Sequence, residues 1–88
     1  MHTPDEELAA RLRKAEKQIV LGAHYAHYKD ETKTYTALGL AIAEADESVQ
    51  VIYQAEYGAK VTFTRPLASW RSDVDVGHQT VKRFTLID

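Results

Sequence analysis

Between positions 22 and 29 the chain reads Gly22-Ala23-His24-Tyr25-Ala26-His27-Tyr28-Lys29, the densest run of aromatic and histidine side chains in its 88 residues. Tyrosines in near alternation with small residues suit a pleated, half-buried strand, and a glycine in front of them lets the chain turn. A period of two puts Tyr25 and His27 on one face and His24, Ala26 and Tyr28 on the other. The two histidines therefore point to opposite sides of a sheet and form no metal pair. Only a helix would bring them together, and the tyrosines and Gly22 argue against one.

Ahead of this strand lies a helical pattern. Thr3, Pro4 and Glu6 make a helix-start signature of capping hydroxyl, first-turn proline and capping-box glutamate. Asp5, Glu6 and Glu7 then complement the positive end of the helix dipole, and Arg11, Arg13, Lys14 and Lys17 the negative end. Leu8, Leu12, Ala15 and Ile19 form one narrow apolar stripe. That stripe must be covered, by the chain's own domain or by a twin copy in a homodimer, a membrane or foreign partner being the less favoured cover. The spacing predicts a helix over 1–18 and a second unit, rich in strands, over 19–88.

After the first strand, residues 29–33 read as a polar turn and 35–43 as a second strand. Its large row, Thr36, Leu38, Leu40 and Ile42, is expected to fill the core. The small row, Tyr35, Ala37, Gly39 and Ala41, leaves an outer surface that the helix can approach closely. Residues 44–48 make an acidic turn. Val51-Ile52-Tyr53, apolar on both faces, marks a central strand, and Gly58-Ala59-Lys60 reverses the chain into a hairpin partner over 61–64. Arg65-Pro66 ends that strand, since proline cannot donate to a ladder, and 67–70 reads as one helical turn whose Trp70 plugs the end of the fold. Residues 73–76 make a short edge, Gly77-His78 a turn, and 79–87 a closing strand.

Five short strands joined by tight turns predict a mainly β fold: a small, strongly bent antiparallel sheet, best matched by an SH3-like barrel with an added N-terminal α-helix. An oligonucleotide-binding-type barrel ranks lower, because its internal helix has no place in this pattern. Cysteine is absent, which excludes disulfides, thiolate zinc sites and cysteine nucleophiles. A net charge of -2 from mixed charges excludes a nucleic-acid polycation. No apolar run approaches the roughly 20 residues that span a bilayer. The expectation is a cytoplasmic protein without membrane contact.

The ordered set Gly22, Tyr25, His27-Tyr28-Lys29, Tyr35, Leu38-Gly39, Val51, Tyr53-Gln54, Tyr57-Gly58, Arg65-Pro66-Leu67 and Arg83-Phe84 resembles the bacterial domain-of-unknown-function family 1653. The resemblance covers 22–87 and implies a small SH3-like barrel of no established activity. Three departures stand out. Asp30 replaces the glycine usual after the histidine-tyrosine-lysine segment, and Phe63 replaces a tryptophan. Ala43-Glu44-Ala45 stands where the family carries a histidine-containing polar segment.

The candidate site is an aromatic, histidine and arginine face made of Tyr25, His27, Tyr53, Phe63, Arg65 and Arg83. Rings of this kind stack a base or a peptide aromatic, and guanidinium groups pair a phosphate or carboxylate, so the partner expected is a peptide, a nucleotide or single-stranded nucleic acid. The competing reading makes these residues ordinary core and rim. A third, phosphodiester cleavage, would need His27 and His78 as base and acid beside Arg65 and Lys29, with no nucleophile motif or phosphate loop to support it. No catalytic residue, cofactor or metal site is expected; Asp73 and Asp75 share a face but read as solvated acids that discourage edge pairing.

Overall fold

In the computed structural model, which describes residues 3–88, a helix α1 (Asp5–Ala15) runs through a 3₁₀ turn (Glu16–Gln18) into a mainly β body. There follow β1 (His24–His27), β2 (Asp30–Ile42), β3 (Val49–Ala55), β4 (Thr62–Pro66), a four-residue helix α2 (Leu67–Trp70), β5 (Asp73–Val76), β6 (Gln79–Lys82) and β7 (Phe84–Leu86). Five strands form one antiparallel sheet in the order β4-β3-β2-β1-β7, and β5 pairs with β6 as a separate hairpin. β3 is paired on both sides, as its apolar centre Val51-Ile52-Tyr53 requires. The sheet is strongly bent but not closed into a barrel, with β4 and β7 as its two edges.

The turns fall where glycine was read. Gly22, Gly58 and Gly77 all have positive φ, at 82°, 57° and 61°. Gly77 opens the two-residue β5–β6 loop, the position at which a type II′ hairpin turn favours glycine.

The second strand corrects the sequence reading twice. It begins at Asp30, five residues early, because β1 and β2 are joined by a turn of only Tyr28 and Lys29. The excess length is absorbed by an irregularity: Ala26 pairs with Thr34 but His27 with Asp30. A second bulge lies further on, where Ala37 faces Tyr53 and Gly39 faces Ile52, leaving Leu38 as the extra residue. A bulge inverts the alternation beyond it. The core row is therefore Tyr35 and Ala37 before the bulge and Leu40 after it, while Leu38 is 49% exposed. The expected division into one large inner row and one small outer row does not hold.

The last strand is also divided. Arg83 breaks the expected run over 79–87 into β6, which closes the hairpin, and β7, which joins the main sheet beside β1.

The helix docks on its own chain, nearest β2 and β3. Ala15 and Ile19 are buried in the core, although Ile19 already lies in extended backbone beyond the 3₁₀ turn. Thr3 does not cap the helix. Its hydroxyl donates to the Glu47 carboxylate, Pro4 occupies the cap position, and the Arg11 guanidinium reaches the Glu47 carbonyl at 3.5 Å. These contacts fasten the helix to the acidic turn before β3.

At the centre of the core is an aromatic cluster. Trp70 stacks on Phe84 with centroids 3.8 Å apart and planes 8° from parallel, and meets Tyr25 and Tyr53 edge-on. Trp70 is 3% exposed, so it is a central core residue and not a plug at one end.

Two substitutions test the bulge. Leu38→Ser is expected to change stability by less than about 0.5 kcal/mol, as at an exposed site. Leu40→Ala is expected to cost about 2 kcal/mol or more through lost packing. Urea unfolding of both variants reads the difference, and equal costs would contradict the assigned register.

Candidate functional site

The bend of the sheet carries its two edges towards each other. Arg65 of β4 holds its guanidinium 5.5 Å from the ring centroid of Phe84 in β7. A groove of about 420 Å³ opens in this region of the sheet. Its apolar lining is made of Tyr35, Tyr53, Phe63 and Phe84, with Tyr57 beside them. Phe63 stacks on Tyr53 at 5.6 Å and is 42% exposed, because it stands opposite Tyr53 on an edge strand that nothing covers. Tyr35 meets Tyr53, Tyr57 and Phe84 edge-on, so the rings form a continuous wall.

The polar lining is unbalanced in sign. Lys29, Lys33 and Arg65 face one carboxylate, Asp30. Asp30 accepts from the backbone N–H and hydroxyl of Thr32, and those bonds hold its carboxyl below the usual carboxylate range. Lys33 lies over the Tyr57 ring at 5.3 Å. The hydroxyls of Tyr35 and Tyr57 bond to each other, and burial first, then this bond, pushes Tyr35 up to about 12. Tyr35 is therefore neutral at physiological pH and serves as a wall, not as a base.

Arg65 is the polar centre of the groove. Its Nη1 donates to Ser69 Oγ at 3.1 Å, which fixes the side chain against α2. Its Nε is buried and has no hydrogen-bond partner, the one such side-chain atom among the described residues. A buried unsatisfied donor costs on the order of 1–3 kcal/mol, and more when charged. An acceptor that reached this atom would recover that cost.

His27 closes one end. Its ring meets Phe84 edge-on at 4.9 Å, and its Nδ1 accepts from the Lys29 backbone N–H at 3.2 Å. Partial burial first, then the charges of Arg65, Arg83 and Lys29, lower its pKa from the ordinary value. At neutral pH the ring is uncharged, and since Nδ1 accepts, the proton sits on Nε2.

Of the six residues expected to form the site, the groove brings together His27, Tyr53, Phe63 and Arg65. Tyr25 shares a strand face with His27 but lies under Trp70, 7% exposed, and its hydroxyl accepts from the Val20 N–H at 3.0 Å. Arg83 is outside the lining: its Nε donates to Ser72 Oγ at 3.0 Å and its guanidinium lies over Tyr28. It acts on the groove only through its charge on His27. His78 sits in the exposed β5–β6 turn and lines no part of the groove, so the two histidines needed for phosphodiester cleavage are not together. Among the described residues no group of three or more His, Asp or Glu side chains is placed to hold a metal ion. None of their helices is long and apolar enough to cross a membrane.

Tyr35, Tyr57, Phe84, Lys33 and Asp30 were missed. Gly39 carried the available signal for Tyr35, since an isolated glycine within a strand pattern marks a bulge and with it a change of face. Glu56, on the opposite side of the sheet, was missed as well. It accepts from the hydroxyls of Thr34 and Thr36 and bonds the His24 ring, and these contacts, the two threonines first, lower its pKa.

The His27 shift fixes a sign for pH dependence. A histidine whose folded-state pKa is depressed contributes stability that is present above its unfolded value, near 6.5, and is lost as pH falls through the folded value. Proton NMR of the ring is expected to show its midpoint below 6.5, and His27→Phe to flatten stability in that acid window. A midpoint above 6.5 would contradict the assigned surroundings.

A family profile described as "Protein of unknown function (DUF1653)" matches residues 23–86. No curated protein sequence matches the chain. Among solved structures, a DUF1653 protein from Bordetella bronchiseptica is similar over 80% of this chain and 90% of its own, at 35% identity and a TM-score of 0.68. That likeness and the profile match together span most of the chain, the whole curled sheet included, and the chain belongs to the DUF1653 family.

Proposed function

We propose that this protein is a non-catalytic binding module whose groove takes an anionic ligand carrying a flat ring: a nucleotide, single-stranded nucleic acid or a peptide with an aromatic side chain. The observation that carries the reading is the Arg65 Nε, a buried cationic donor without a partner, on a side chain lining an aromatic groove. The exposed Phe63 ring supplies a stacking surface beside it, and Lys29 and Lys33 add positive charge. The architecture is read as an SH3-like barrel left open between β4 and β7, and the location as cytoplasmic, which the absence of cysteine supports.

Assembly through the helix is the weaker reading. Ala15 and Ile19, half of the apolar stripe, are consumed by the chain's own core, which leaves only the half-buried Leu8 and Leu12 for a second copy. Catalysis is weaker still, with His78 outside the groove lining.

Amide chemical shifts of the labelled protein, followed during titration with thymidine monophosphate, short oligonucleotides and an aromatic peptide pool, test the reading. Shifts are expected on His27, Tyr53, Phe63 and Arg65. Phe63→Ala is expected to weaken binding about tenfold, the low end of what a lost base–aromatic stack costs. Arg65→Gln should weaken it at least as much while leaving a folded spectrum. Absence of groove shifts with all three ligand classes would remove the proposal.

A further inference from the structure

A second pocket, of about 550 Å³, shares Phe84 with the groove and is walled by Tyr25, Trp70, Phe84 and Leu86. Three cations line it from three separate elements: Lys17 from the 3₁₀ turn, Arg71 from the end of α2 and Lys82 from β6. No carboxylate lines it, and none of the three forms an ion pair among the described residues. Asp73 stands opposite Lys82 in the hairpin register without bonding to it. Arg71 is held in place by Gln18, whose Oε1 accepts from its Nη1 at 2.8 Å.

The two pockets share Phe84, and together they hold most of the cations that follow the helix. Of the lysines and arginines after Gln18, Lys29, Lys33 and Arg65 line the groove and Arg71 and Lys82 the second pocket. Arg83 and Lys60 line neither, though the charge of Arg83 acts on His27 in the groove lining. Of 13 acidic residues only Asp30 lines either pocket. A protein of net charge -2 thus lines two pockets that share one aromatic ring with six of its 11 lysines and arginines.

A mononucleotide or a peptide carboxylate offers one anionic group and fills one pocket. Two basic pockets joined at a shared ring match a ligand with anions at regular intervals and flat groups between them. We propose that the natural ligand is single-stranded nucleic acid, with one nucleotide stacked in the groove and the backbone continuing past Phe84 onto Lys17, Arg71 and Lys82. The inference rests on the reading of the groove as a binding site and adds the second pocket and the ligand class to it.

The experiment compares thymidine monophosphate with oligothymidylates of about two to eight nucleotides, a range that includes the footprint of one small barrel. Amide shifts locate each ligand and anisotropy of labelled oligonucleotides gives affinity. Affinity is expected to rise at least tenfold with length, about the gain one further phosphate and base contact brings. It should also fall steeply between about 50 and 200 mM salt. The triple variant Lys17→Gln/Arg71→Gln/Lys82→Gln should reduce the slope of log affinity against log salt by about 2, since each single-strand phosphate contact contributes roughly 0.7. It should leave the monophosphate shifts in the groove unchanged. If the triple variant does not fold, Lys82→Glu alone carries the test, with a slope change of about 1.

Oligonucleotides that bind no tighter than the monophosphate would overturn the inference and leave the groove reading standing. So would a variant with the slope and affinity of the natural protein, or shifts produced by the peptides alone. If no ligand moves the groove residues, both fall together.

Discussion

The face-to-face stack of Trp70 on Phe84 is the contact on which the remaining architecture depends. A helix of four residues has no stability of its own, and β7 is a strand of three residues with a single neighbour. Each is held because the other's ring covers it, within a cluster that Tyr25 and Tyr53 complete. Aromatic side chains bury on the order of 150–250 Å² apiece, which suits a chain of 88 residues with few large aliphatic groups at its centre. The stack also sets the curvature. By drawing α2 and β7 together it brings Arg65, just before α2, over Phe84.

The groove follows from that arrangement. Rings required for the core outnumber those the core can enclose, so Tyr35 and Phe63 come to rest at its border, with part of each ring left open to solvent. The same border collects cations, because guanidinium and ammonium groups can lay their stems on aromatic surface while their heads face water. The outer face solves a different problem: there Glu56 gathers two threonine hydroxyls and the His24 ring and joins β1, β2 and the end of β3.

Much of this was legible in the sequence where local chemistry decided it. The glycines at 22, 58 and 77 mark turns because few other residues tolerate positive φ, and Val51-Ile52-Tyr53 marks a strand paired on both sides. The face shared by Tyr25 and His27 followed from period two, and His27, Tyr53, Phe63 and Arg65 could be singled out before any contact was known. What escaped were events that depend on a partner strand. The Leu38 bulge is a property of the register between β2 and β3, not of β2, and it turned Tyr35 and Ala37 inward with Leu40 while leaving Leu38 outside. The fate of Tyr25 was likewise decided elsewhere, by Trp70 settling over it. Thr3 carried a helix-capping signal and spent its hydroxyl on Glu47, across 44 positions of chain. Arg83 gave no local sign that the closing strand would break there.

The absence of a hydrogen-bonded seam between β4 and β7 gives the groove a mechanical character. In a closed barrel, widening the mouth means stretching a ladder of backbone bonds whose loss is felt throughout the sheet. Here the two lips are bridged by side chains, with Arg65 resting over Phe84, and side chains turn on single-bond rotations. The sheet is thus continuous along its ladders and open across one gap, so that the width of its mouth is set by side-chain rotamers and not by the ladders that hold it together.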